Sequence, residues 1–165
     1  KHIISGHNMR TTINPDSFGF LVSDLGRLTR GVFEREIDAA ELAVTAAEAR
    51  VLAHMARCGA TRQHMLAESL GMTPMSLTGF LDRLEAAELI ARTADPNDRR
   101  AKIASLTPQA NDVLSQIAQI GERVEAIISD GLTQEQWQTF HQTALTLRQN
   151  LAALRGVSCK TEGAK

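Results

Sequence analysis

Residues 61–107 read TRQHMLAESLGMTPMSLTGFLDRLEAAELIARTADPNDRRAKIASLT, and this stretch decides the fold. A short helix from about Thr61 to Leu70 is stopped by Gly71, a residue that takes the left-handed cap conformation without strain. Thr73-Pro74 pairs a capping hydroxyl with a proline at the first helical position, so a second helix starts there. Leu77, Phe80, Leu81 and Leu84 form its inner stripe. The period then changes. Leu89 to Thr93 reads as a short strand, residues 94–98 as turn chemistry, and Lys102 to Leu106 alternate as a second strand. Two short helices around a tight turn, followed by a basic hairpin, make a winged helix-turn-helix.

Upstream, Asn14-Pro15-Asp16 carries a cap, a proline and a first-turn acid, which predicts a helix from Pro15. Phe18, Leu21, Val22, Leu25, Leu28, Val32 and Phe33 give it one apolar stripe to about Ala39. Thr45 and Glu48 have capping-box spacing, Val51, Leu52 and Met55 face inward behind them, and Gly59 ends that helix. Downstream, Thr107-Pro108 opens a long helix to about Asp130. Thr133 and Gln136 form another capping box. Trp137, Phe140, Ala144, Leu147, Leu151 and Leu154 then repeat at three and four, a heptad seam. The expected fold class is mostly α: six helices and a two-stranded β-hairpin wing.

Composition narrows the function. Lys plus Arg is 18 against 19 Asp plus Glu, a net charge of -1, so any surface for nucleic acid is local. Tyr is absent, with five Phe and one Trp, which is thin for an aromatic stacking surface. Two cysteines make no disulfide framework, and the apolar runs are too short for a membrane span. The expectation is a cytoplasmic protein without membrane contact. Lys1 to Asn8 lack periodicity, and Met9 reads as a native start behind a remnant. Residues 1–13 and 156–165 are expected to be flexible.

On the helix from Thr73 the outward positions Met75, Ser76, Thr78, Gly79, Asp82 and Arg83 are small or hydrogen-bonding. Such residues suit close approach to base edges, and the helix start, Thr73-Pro74, suits a phosphate. A plain amphipathic surface helix shows the same pattern. The hairpin separates the two readings. Residues 91–105 hold Arg92, Arg99, Arg100 and Lys102 against Asp95 and Asp98, a local +2 in a chain of net -1. Asp98, Arg99, Arg100 and Lys102 therefore read as a DNA-contacting wing, with Asp98 pairing one of the two arginines for structure and the other left for DNA.

Asp98-Arg99-Arg100, a five-residue gap and Leu106-Thr107 resemble the wing signature of the MarR family, and the motif position of Arg100 implies that it is the arginine paired with Asp98. Leu66-Ala67-Glu68, Leu70-Gly71 and Leu81-Asp82-Arg83-Leu84-Glu85 are similar to its helix-turn-helix. The resemblance implies one MarR-like domain over 14–155. Residues 40–107 would form the DNA-binding lobe, and 14–39 with 108–155 the dimerisation helices. It implies a dimeric transcriptional regulator, usually a repressor released by a small, often aromatic, ligand. Two positions depart from it: Glu88 and Ala110 stand where the family often has Gly, so Glu88 must take a strained cap conformation or the turn differs.

Homodimerisation through Trp137, Phe140, Leu147, Leu151 and Leu154 is expected from the seam and the resemblance together. A two-fold dimer presents its recognition helices one DNA turn apart, about 34–36 Å, and favours a near-palindromic double-stranded operator. The ligand pocket implied by the resemblance would be lined by Leu21, Leu25, Arg27, Leu28, Arg50, His54 and Met65, a cation among apolar groups that suits an aromatic carboxylate. Core packing is the stronger account of most of these residues, with Arg27 as a solvated side chain.

Other chemistries find no support in the sequence. Cys58 reads as a buried inert thiol. His54, His64 and His141 lack metal-ligand spacing, and no cofactor motif, phosphate loop or nucleophile elbow is present. Ser76 and His64 fall inside the reader motif. The expectation is not an enzyme but a DNA-binding regulator. The alternative is a winged-helix protein-interaction module without sequence-specific DNA binding.

Overall fold

The structure, a computed structural model, describes residues 14–155, apart from the side chains of Arg99 and Arg155. The expectations for residues 1–13 and 156–165 lie outside the described residues. In chain order come α1 (Phe18–Ala39), α2 (Ala46–Cys58), β1 (Thr61–Arg62), α3 (Gln63–Leu70), α4 (Pro74–Ala86), β2 (Ile90–Asp95), β3 (Asp98–Leu106), α5 (Asn111–Ile128) and α6 (Gln134–Arg155).

The punctuation holds at α2, α4 and α6 and fails at α1. Thr45 and Glu48 bond reciprocally, the Thr45 N–H donating to Glu48 Oε2 at 2.9 Å and the Glu48 N–H to Thr45 Oγ1 at 3.3 Å. Thr133 and Gln136 repeat this at α6. At α1 the helix begins at Phe18 with Ser17 as its cap, not at Pro15. Asn14 Oδ1 accepts the Asp16 N–H at 2.9 Å, closing a local turn that competes with helix for the same side chain. The segment after Thr107 likewise opens as a 3-10 turn, Pro108–Ala110, before α5.

Residues 61–62 are a strand rather than the first turn of a helix. Thr61 pairs with Ala104 and Arg62 with Ile103, so the sheet has three antiparallel strands in the order β1-β3-β2 instead of two. Two residues carry no readable period, and the exposed edge of β3 supplies what local sequence does not. The hairpin is also longer than its alternation suggests, with Ile90 opposite Leu106, Ala94 opposite Lys102 and only Pro96-Asn97 at the tip.

One core joins these parts. Val51, Leu52 and Met55 of α2, Leu66 of α3, and Leu77, Leu81 and Leu84 of α4 are buried with Ile90 and Ala104 of the sheet. Each fully buried aliphatic side chain contributes roughly 1.5–3 kcal/mol relative to exposure. Ile37 from the end of α1 and Ile117, Ile120 and Val124 of α5 close the same cluster. The first half of α1 and most of α6 lie outside it. Phe18, Leu21, Leu25 and Leu28, and Phe140, Leu147, Leu151 and Leu154, are exposed in the single chain.

The ends of α3 and α4 use the same bonds with different residues. Met72 N–H reaches the Ala67 carbonyl and Gly71 N–H the Glu68 carbonyl; Leu89 N–H reaches Leu84 and Glu88 N–H reaches Glu85. The turning residue is left-handed in both, Gly71 at φ 62 and Glu88 at φ 58. The strained cap expected of Glu88 is therefore present, and the Thr107 hydroxyl holds it by donating to the Glu88 carbonyl at 2.6 Å. A left-handed non-glycine residue costs about 1–2 kcal/mol, partly offset by glycine's larger unfolded-state entropy. Glu88→Gly should therefore raise the urea midpoint by an amount equivalent to about 0.5–1 kcal/mol; a lowered midpoint would refute this.

Candidate nucleic-acid interface

Burial of Leu77, Leu81 and Leu84 turns the opposite side of α4 outward. Met75 stands 86% exposed at its start, an unbranched apolar side chain that no other described residue covers. Ser76 and Thr78 are both exposed, but their hydroxyls differ. Thr73 Oγ1 accepts the Ser76 N–H at 3.1 Å and donates to Ser76 Oγ at 2.9 Å, so the Ser76 proton stays free to donate outward. The Thr78 hydroxyl donates to the Pro74 carbonyl at 2.8 Å, which leaves its methyl and acceptor lone pairs for a partner. Gly79 is half-buried, one turn on.

Arg83, expected on the outward face, is committed to its own chain. Its Nε donates to Glu48 Oε1 at 2.5 Å, and its guanidinium lies 5.2 Å from the centre of the Phe80 ring. The Glu48 side chain is only 7% exposed. Burial acts to raise its carboxyl pKa, but the Thr45 N–H, the Arg83 guanidinium and the Thr45 hydroxyl outweigh that, and the net direction is down. Glu48 thus caps α2 and tethers α4 with one carboxylate. Nothing in the local sequence couples residues 48 and 83, since only the tertiary packing of α2 on α4 brings them together.

The wing is held by two further arginines, which make three ion pairs. Arg92 Nε donates to Glu85 Oε2 at 2.9 Å and its NH2 meets Asp82 Oδ1 at 2.7 Å, so one of the four wing cations is spent inside the lobe. Arg62 Nε donates to Asp95 Oδ2 at 2.5 Å, and Asp95 Oδ1 accepts the Asn97 N–H at 2.8 Å. These bonds hold the buried Asp95 carboxyl below the ordinary carboxylate value, the Asn97 N–H first and Arg62 second. The expected pairing of Asp98 with the Arg100 guanidinium does not occur. Asp98 Oδ1 instead accepts the backbone N–H of Arg100 at 3.0 Å, because the tight turn puts that amide nearest. Arg100 and Lys102 are exposed. The Arg99 side chain lies outside the described residues.

Among the described residues, those expected to line a ligand pocket are not gathered in one cavity. Leu21, Leu25, Leu28 and Met65 lie exposed, and Arg27 pairs with Asp24 at 2.9 Å on open surface, because no described element covers the first half of α1. Arg50 is half-buried and His54 buried on α2. His54 Nδ1 is 3.0 Å from Arg57 and its Nε2 3.4 Å from Cys58 Sγ. Burial, then Arg57, lowers the His54 pKa. Cys58 is disulfide-bonded, which corrects the reading of an inert thiol; half-burial at the end of α2 leaves its sulfur within reach of a partner. Trp137, placed in the dimer seam, is half-buried within its own chain, donating from Nε1 to Glu125 Oε1 at 2.8 Å and stacking on Phe140. Among the described residues no helix is long and apolar enough to cross a membrane.

Known proteins share this arrangement. A structure of BpsR from Bordetella bronchiseptica, concerned with regulation of its DNA binding by 6-hydroxynicotinic acid, is 22% identical over 79% of this chain and 97% of that one, with a TM-score of 0.64. A mutant of MarR from E. coli complexed with operator DNA is 22% identical over 78% of this chain and 91% of that one, with a TM-score of 0.62. At those identities the likeness is one of fold. The transcriptional regulator PA3341 is 31% identical over 82% of this chain and 98% of that one, with a TM-score of 0.66. The MarR family model matches residues 44–102, the stretch from the start of α2 to the middle of the wing, and with a relative this similar over nearly its whole length the chain belongs to the MarR family.

Proposed function

We propose that the chain is a cytoplasmic transcriptional repressor that binds a near-palindromic operator as a homodimer and is released by a small, aromatic ligand. The observation that carries this reading is the outward row at the start of α4. A fully presented Met75 and a Ser76 hydroxyl with its proton free stand at the start of the helix whose Pro74 and Thr78 line one cleft with the exposed cations Arg100 and Lys102. Apolar and hydroxyl groups at a helix start read base edges, and flanking cations bind phosphate. The operator complex of the E. coli relative supports the DNA reading, and the regulation of BpsR by 6-hydroxynicotinic acid supports the ligand. Leu21, Leu25, Arg27, Leu28, Arg50, His54 and Met65 remain the residues proposed for that ligand, with a second copy of the chain needed to cover the face of α1. No catalytic role is proposed.

The test is a binding titration against the DNA upstream of the protein's own gene and against mixed-sequence duplex, at several salt concentrations. Ser76→Ala should cost on the order of 1–3 kcal/mol on the operator and little on mixed sequence. Thr78→Ala should cost less, because its proton is already given to Pro74. Arg100→Ala should weaken both duplexes alike and lower the salt slope by about one; the same is expected of Arg99→Ala. Equal losses for Ser76→Ala on both duplexes would mean that the hydroxyl touches phosphate only. No binding to either duplex by the unmutated protein would move the interaction-module reading to first place.

A further inference from the structure

Gln63 opens α3 where β1 has just paired with β3. Its Nε2 is buried and has no hydrogen-bond partner. Buried amide donors are rarely left without an acceptor, so an orphan calls for a specific account. The same residue lines an open cleft of about 240 Å³ with His64, Pro74, Thr78, Arg100 and Lys102, and none of the cleft's lining residues is acidic. The cleft therefore sets two cations beside the residue that carries the uncommitted N–H donor. Pro74 has no N–H to give, and the Thr78 proton is already spent on the Pro74 carbonyl. No side chain caps α3 either, since Arg62 at its cap position points its guanidinium to Asp95.

We propose that this cleft is a subsite for one phosphate of the duplex backbone, in which the Gln63 amide donates to a non-bridging oxygen and Lys102 and Arg100 supply the countercharge. The proposal rests on the DNA-binding reading. It adds an α3 residue that neither the recognition-helix pattern nor the wing signature singles out. The cleft lies between the start of α4 and β3, so a strand followed by the Met75–Ser76 row on one side and by the wing on the other passes over it. A phosphate matches both requirements, an acceptor for the orphan donor and a negative charge for the two cations.

Gln63→Met keeps the length of the side chain and removes the donor. It should leave the melting temperature unchanged or higher and lower the affinity for mixed-sequence duplex about tenfold, with the salt slope unchanged because no charge is lost. Gln63→Glu should lower affinity further, and Lys102→Gln should reduce the slope by about one. In the unmutated protein the Gln63 side-chain amide resonances should move on addition of duplex, a readout that does not depend on how any variant folds. Inorganic phosphate should move the same resonances weakly and be displaced by duplex. Unmutated protein that binds duplex with no movement of the Gln63 amide, or Gln63→Met that binds as tightly as the unmutated protein, would overturn the subsite while the DNA reading stands. Saturation by inorganic phosphate that duplex cannot displace would assign the cleft to a free anion instead. Failure of the unmutated protein to bind any duplex would remove both readings.

Discussion

Leu151→Asp should convert the protein to a folded monomer and reduce operator affinity at least about 100-fold. Leu151 is 61% exposed and Leu147 38% exposed in the single chain, so neither belongs to the core formed by α2, α4 and the sheet. Folding of the lobe then does not depend on them, and helical circular dichroism should persist. A carboxylate placed in an apolar interface costs several kcal/mol, and two-fold symmetry imposes it twice per dimer. A monomer holds one half-site and forfeits the effective concentration that a linked second half-site provides. Leu147→Asp should act in the same direction with a smaller effect on the free chain, since part of its surface is already covered. Sedimentation velocity at micromolar concentration measures this directly. If the unmutated protein sediments as a monomer, the α6 seam is not a dimer interface.

Glu48→Ala should lower stability by about 2–3 kcal/mol, with a drop in melting temperature of roughly 5–10 °C. Two bonds are lost together. Removing the side chain opens the Thr45 capping box, which is worth about 1 kcal/mol. It also removes the charge-assisted bond from Arg83, kept near the lower end of the usual 1.5–3 kcal/mol because the Arg83 side chain is 58% exposed. Glu48→Gln separates charge from shape. The folded-state pKa of Glu48 lies below its ordinary value of 4.5, so its charge contributes stability that is fully present above that value and is lost as the pH falls through the lower folded value. The difference in urea midpoint between the unmutated protein and Glu48→Gln should therefore shrink on acidification. A difference that stays constant from neutral pH to about pH 3 would show that the carboxylate's charge plays no part. Because the same bond fixes α4 against α2, operator affinity should fall beyond what the lost stability explains.

Much of the lobe could be read from residues 61–107 because its signals are local. Gly71, Thr73-Pro74, the inner leucines of α4 and the change of period at Leu89 each act within a few residues, where backbone sterics and side-chain period set the outcome. The same holds for the boxes at Thr45 and Thr133 and for the left-handed turn at Glu88. The outward row of α4 was legible for the same reason, since fixing the buried face of a helix fixes the opposite one.

What the sequence left undecided depends on partners distant along the chain. Strand β1 is too short to carry a period and exists because the edge of β3 lies beside it. Arg83 and Arg92 look like any exposed cation of the reader and the wing, yet Glu48 and Glu85 claim them. Gln63 carries no signal at all until folding buries its Nε2 and brings the residue to a cleft shared with α4 and β3. Sequence by itself determined most of the elements and the face each presents, because these follow from backbone conformation and period. Only the tertiary structure decided which charges remain free for a partner, because ion pairing depends on distances of a few ångströms between residues tens of positions apart.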